Sequence, residues 1–370
     1  MKTFTIGACI FAVCLGVSIF ATDQASSTSD TGSWSGKAAA DYLDGRMTWW
    51  IGWDQAARDH DTFCVSCHTV LPYAMARPAL RTAMAEQTPS APERQMLASV
   101  TKRVRMWKDL EPFYPDAKRG AGKTAESRGT ESILNAVILV GYDAPAGKLG
   151  PDARLALDNM WGEQLKTGEA RGAWSWLQFH NSPWEGDSQY YGAVVAALAV
   201  GMAPADYQAS PEIQDNMKLL REYLVENRES QILINRLNLL WASTKIPGLL
   251  TPGQRKSIID EALNKQQADG GFSLSAFVGG WKRHDGTPLE TKSDGYATGA
   301  VTYILQQAGM KRDQPRLQRG LNWLATNQDK SEGRWIAYSL NHQEDLGSYT
   351  GHFMSDAATA YAVLALESAH

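Results

Sequence analysis

The sequence predicts an all-α protein: an (α/α)6 toroid of six outer/inner helix pairs, preceded by a signal peptide. The main observation is an order that recurs along the chain, in which an amphipathic helical stretch is followed by a stretch of small apolar residues. A second is that long loops rich in Trp and His join the two members of most pairs. An amphipathic helix keeps one side in water, whereas a helix apolar all round is buried. Six pairs closed into a ring therefore expose the first helix of each pair, sequester the second, and use residues 36–370 as one domain. The competing architecture is an open solenoid of stacked pairs.

Taken in order, residues 1–21 open with Lys2, continue through an apolar run from Phe4 to Phe20 and end on Ala21, the pattern of a secretory signal peptide. A run of about 17 residues is at the short limit for spanning a membrane, and no later segment is longer, so no transmembrane segment is expected in the mature chain. A periplasmic or secreted location follows. Residues 22–35 are mostly small and polar, a flexible leader. The first pair, 36–86, has its outer helix at 37–50, a loop at 51–67 and an irregular inner helix from Thr69, with Pro72 and Pro78. The next pairs read as 92–109 with 126–141, 152–165 with a helix opened by Asp187, and 211–227 with 231–244. In the fifth, Ile258–Leu263 precedes an apolar helix opened by Asp294. In the sixth, Arg316–Leu324 precedes a helix beginning near Asp356.

Gln266–Phe272 (QQADGGF) and Asn327–Trp335 (NQDKSEGRW) resemble the Gln-Trp repeats of squalene–hopene cyclases and protein prenyltransferase β subunits. The resemblance covers about residues 90–370 as a pattern and implies the α/α toroid. It does not imply the activity. The cyclase Asp-x-Asp-Asp acid motif is absent, Asp59-His60-Asp61 is not that motif, and no cysteine after Cys67 could complete the prenyltransferase zinc set.

Chemistry concentrates in Cys64-Val65-Ser66-Cys67-His68. Cys-x-x-Cys-His is the pattern of covalent haem c attachment: Cys64 and Cys67 would form thioethers and His68 would be the proximal iron ligand. The other two cysteines, Cys9 and Cys14, lie in the export segment. Competing readings are a Cys64–Cys67 disulfide and a zinc site that borrows a distant fourth ligand.

The outer-to-inner loops should emerge at one end of a toroid, which puts His60, His68, His180, His284, His342 and His352 on one rim with Trp53, Trp174, Trp176, Trp184, Trp281 and Trp335. These aromatics either pack the loops down or cover a ligand. Ring closure brings Gly351–Met354 toward the motif, so His352 or Met354 is the expected distal ligand; Met75 and His60 lie too close to His68 to cross to the far face. Asp187, Asp294 and Asp356 read first as helix N-caps and, as the alternative, as acid/base groups facing a substrate.

Without Lys2 the chain has 35 basic against 40 acidic side chains and no basic stripe, which excludes nucleic acid as a partner. The expected function is an exported haem c protein that exchanges electrons with a redox partner or oxidises an apolar small molecule. The alternatives are a haem-free toroid enzyme, isoprenoid cyclase-like or carbohydrate-active, and a binding module with a disulfide.

Overall fold

The computed structural model describes Met1 and residues 34–179, 183–184 and 188–368. The signal segment beyond Met1, nearly all of the leader, His180, Asp187 and His370 fall outside the described residues.

Helix α1 (Gly36–Gly52) leads through a small antiparallel hairpin, β1 (Ala57–Arg58) and β2 (Thr62–Phe63), to α2 (Val70–Ala83). The second pair is α3 (Ala91–Arg105), the one-turn α4 (Asp116–Arg119) and α5 (Lys123–Asp143). The third pair is α6 (Pro151–Gly162) with α7 (Ser188–Met202). After the one-turn α8 (Ala205–Gln208), α9 (Gln214–Glu226) and α10 (Leu233–Ala242) make the fourth. The last two pairs are α11 (Pro252–Leu263) with α12 (Gly295–Gln307), and α13 (Pro315–Thr326) with α14 (Phe353–Glu367).

The inner helices touch in the cycle α2, α5, α7, α10, α12, α14 and back to α2, so they close a ring rather than an open stack. Burial follows the sequence pattern. In the outer helix α13 only Leu317, Gly320, Leu321 and Leu324 are buried, one stripe at helical spacing. In α14 every residue from Met354 to Leu366 is buried. Outer helices start on strong signals: Pro at the first position of α6, α11 and α13, and capping boxes at Ser90/Glu93 and Thr251/Gln254.

Some boundaries differ from the sequence expectation. The helix expected over 152–165 stops at Gly162, because Gln164 leaves it to pair with Trp174. The one expected over 92–109 stops at Arg105, and the one expected over 211–227 begins at Gln214 after a tight turn at Pro211–Ile213. Pro78 sits inside α2 without ending it.

The Gln-Trp resemblance has a physical basis. Gln328 Nε2 donates to the carbonyls of Ser35 (3.0 Å) and Gly333 (2.8 Å), while the Ser35 N–H donates to Gln328 Oε1 (2.6 Å). One side chain thereby joins the sixth unit to the first. Gly333 has φ +77°, and a methyl there would collide with the Ala38 carbonyl of α1, so only glycine fits. Gln266 makes the same pair of bonds, to the carbonyls of Gly270 and Arg316. A third copy escaped the sequence reading: Gln164 Nε2 donates to the carbonyls of Gly172 and Asn216, and Trp174 stands where Trp335 stands in the last unit. Its glutamine and glycine lie eight residues apart instead of four or five, which hid the match.

Candidate functional site

The motif segment is held from both sides. The β1–β2 hairpin turns at His60 and Asp61, both in the left-handed region (φ 55° and 54°), and delivers Phe63 and Cys64 beneath α1. The Cys64 N–H donates to the Ala56 carbonyl, and Trp50 Nε1 donates to the Cys64 carbonyl, each at 2.8 Å. Ser66 then closes the turn that leads into α2, its hydroxyl accepting from the backbone N–H groups of Thr69 (3.3 Å) and Val70 (3.1 Å). Below the hairpin, the buried Arg103 binds Glu131, Asp59 and Thr62, which anchors the turn to α3 and α5.

Both cysteines are buried, Cys64 at 7% and Cys67 at 5% exposure. Cys64 also lines a surface groove of about 310 Å³ walled by Trp50, Trp53, Phe113 and Tyr114 and rimmed by Arg58, Lys118 and Arg119. Cys67 lies near Tyr191 and Tyr296 on the inner helices, whose hydroxyl pKa values are raised chiefly by burial.

His68 lies in an aromatic cage. Phe353 covers it at 3.9 Å between ring centroids, Trp50 meets it edge-on at 5.1 Å and Trp184 tilts over it at 6.0 Å. Burial, helped by the Arg46 guanidinium, pushes its pKa down to about 3, so the ring is neutral at ordinary pH. Its Nδ1 lies 2.9 Å from Thr69 Oγ1, and the Thr69 hydroxyl donates to Asp356 Oδ2 at 2.8 Å. A hydroxyl has one proton, and Thr69 gives its own to the carboxylate. Toward His68 it only accepts. The Nδ1 therefore carries the imidazole hydrogen and Nε2 keeps a bare lone pair.

Asp356 anchors this chain. Arg46 donates to it through Nε (2.7 Å) and Nη2 (3.0 Å), and the Tyr42 hydroxyl donates at 2.8 Å. Burial pulls the carboxyl pKa up, and the guanidinium and the two hydroxyls oppose it. All four contacts are donors, which an ionised carboxylate alone can accept. The expectation that Asp356 caps α14 is corrected: it sits in the first turn and spends both oxygens on side chains. Asp294 does cap, accepting from the backbone N–H groups of Ala297 (2.8 Å) and Leu274 (2.6 Å), and burial raises its pKa to about 7.

The segment around residue 352 does approach the motif, as ring closure requires. The side chain that it lays on His68 is Phe353, however. His352 turns to Tyr42, with ring centroids 6.0 Å apart, and Met354 is buried in the core. Most of the loop tryptophans serve one of two ends. Trp174, Trp176 and Trp335 are fully buried and donate to main-chain carbonyls, so they pin loops to the barrel. Trp53 and Trp184, together with Trp50 of α1, face the motif. Sequence reasoning missed Thr69, Arg46 and Tyr42; the last two lie on α1 at the spacing of one helical turn, the only linear signal that they act together.

Among the described residues no three His, Cys, Asp or Glu side chains gather as they would around a metal ion. No described helix is long and apolar enough to cross a membrane.

No protein-family model and no curated protein matches the chain. Among solved structures, a wild-type glycosidase aligns with 90% of this chain and 97% of its own at 14% identity, with a TM-score of 0.49. A glycosidase variant in complex with glucose aligns with 90% of this chain and 87% of its own at 12% identity and a TM-score of 0.41. Likeness at that level does not extend to chemistry, which has to be argued from the residues of the site.

Proposed function

We propose that this chain is an exported haem c protein in which Cys64 and Cys67 tether the group and His68 is its axial ligand. The observation that carries the reading is the Asp356–Thr69–His68 chain. Histidines that ligate metals commonly donate their other ring N–H to a fixed acceptor, which sets the tautomer and the ring orientation. His68 has that arrangement, is neutral, and offers Nε2. The groove beside Cys64 adds support: its walls are aromatic and its rim is cationic, a composition suited to a flat apolar macrocycle with acidic substituents. A bound haem c would supply one-electron redox chemistry. The residues around the motif would orient the imidazole and exclude water from it.

A second reading is a haem-free toroid enzyme. The 3.9 Å packing of Phe353 on His68 and the burial of both sulfurs favour it, because they fill the space around the motif. In that case the bare Nε2 is a hydrogen-bond acceptor for a substrate at the barrel mouth, since a pKa of about 3 makes it too weak for a general base at ordinary pH. The carbohydrate-active form of this reading requires two facing carboxylates, and none lines the barrel cavity described below.

One experiment separates the two. The protein, exported from cells that carry a haem c maturation system, is denatured and assayed for covalently retained haem by staining and by the pyridine haemochrome spectrum. The haem reading expects about one haem per chain, and His68→Ala should alter the absorption spectrum of the native protein while leaving the thioethers, and so the pyridine haemochrome, intact. A colourless protein whose Cys64 and Cys67 appear by mass as thiols or as a disulfide overturns it.

A further inference from the structure

Beneath the motif, the inner helices enclose a cavity of about 150 Å³. Tyr191 and Leu71, from the first turns of α7 and α2, form its roof, and its walls come from the middle of α2 and α7 and the C-terminal halves of α5, α10, α12 and α14. It is therefore separate from the groove beside Cys64. The lining is mostly apolar, with three tyrosines, Tyr191, Tyr303 and Tyr361, and the edge-on Trp241–Tyr303 pair at 5.2 Å. A cavity of this volume holds a benzene-sized ring.

Two of its residues are out of place in an apolar wall. Asn238 and Trp241 lie three positions apart on α10, on one face of that helix, at 5% and 7% exposure. Asn238 Nδ2 and Trp241 Nε1 are buried, and neither finds an acceptor among the described residues. Buried donors are nearly always satisfied, so two orphans on one face of a cavity wall call for an acceptor from outside the chain. The open end of the cavity is also built to admit one. Gly141 lies in the last turns of α5, and a methyl built there meets only Met202 Cε, at 3.9 Å. Met75 and Met202, both flexible thioethers, also line the cavity and, like Gly141, are only partly buried.

We propose that this cavity is a binding site for a ring-sized apolar molecule carrying a carbonyl-type oxygen, held by Asn238 and Trp241 and entering past Gly141, Met75 and Met202. The ring packs against the tyrosines, and the oxygen accepts from the two donors of α10. The site does not rest on the haem reading and is tested without reference to it.

The test uses the exported protein as isolated, with ¹³C-methyl methionine as the reporter. The probes are cyclohexanone and methylenecyclohexane, which share a shape and differ in the acceptor. Both should shift the Met75 and Met202 methyl signals, with cyclohexanone binding about tenfold more tightly, the worth of one to two net hydrogen bonds. Asn238→Leu with Trp241→Phe should abolish the preference and leave hydrocarbon binding in place. Trp241→Phe alone, which keeps the ring packing, should reduce the preference. Gly141→Leu should block both probes. The proposal is overturned if neither probe moves the methyl signals, if the parent binds the two equally, or if the preference survives loss of both donors.

Discussion

The Arg46–Asp356 pair is the most exposed point of the argument, because it holds both the ring closure and the tautomer of His68. Arg46 on α1 and Asp356 on α14 are 6% and 1% exposed, so each charge depends on the other. Removing one partner leaves an uncompensated buried ion, a cost of about 3–5 kcal/mol. Arg46→Met and Asp356→Ala should therefore each destabilise by about that amount. The double variant strands no charge but orphans the hydroxyls of Tyr42 and Thr69 and takes the Arg46 donor from the Tyr349 carbonyl, for about 3–6 kcal/mol in total. The coupling energy is then about 3–4 kcal/mol, a large share of the roughly 5–15 kcal/mol that holds a typical domain together. Urea denaturation of the parent, the two single variants and the double variant measures it. If the two costs simply add, to within about 0.5 kcal/mol, the pair is not coupled, and the account of how His68 is fixed loses its anchor.

Three further outcomes are expected. Thr69→Val removes the acceptor at His68 Nδ1, so the ¹⁵N shifts of His68, which indicate a single Nδ1–H tautomer in the parent, should change to a mixture or to the other form. Gln328→Ala should cost about 2–3 kcal/mol in urea denaturation, because it orphans the Ser35 N–H and the Gly333 carbonyl at the seam of the ring and leaves the Ser35 carbonyl only the Ala39 N–H. For pH, Asp294 has its folded pKa raised from 3.8 to about 7, so its contribution is full below pH 4 and is lost as pH rises through 7. Replacing it by Asn should flatten a decline of up to about 4 kcal/mol between pH 4 and 8. His68 acts in the opposite sense: its folded pKa is lowered from 6.5 to about 3, so stability present above pH 6.5 is lost as pH falls toward 3. His68→Gln should remove that acid limb.

Much of this was legible in the chain. The alternation of one-striped and uniformly apolar helices is a local property, and it located all six pairs, with errors of a few residues where Gln164 or Pro211 ends or delays a helix. The Cys64–His68 pattern is contiguous and could be read directly. The Gln-x-Gly-aromatic unit was readable where its spacing is short, at Gln266 and Gln328, and unreadable at Gln164.

What the sequence by itself determined is therefore the helical periodicity, the order of the pairs and the position of the Cys-x-x-Cys-His pentapeptide. Only the tertiary structure decided which groups surround it. That Asp356 binds Arg46 rather than capping its helix, that Phe353 and not His352 meets His68, and that Asn238 and Trp241 share the wall of a cavity all depend on contacts between different helices. The physical reason is that helical periodicity is set by neighbours three and four residues away. A hydrogen-bond partner some 300 residues away exists only once the ring has closed, and no local pattern records it.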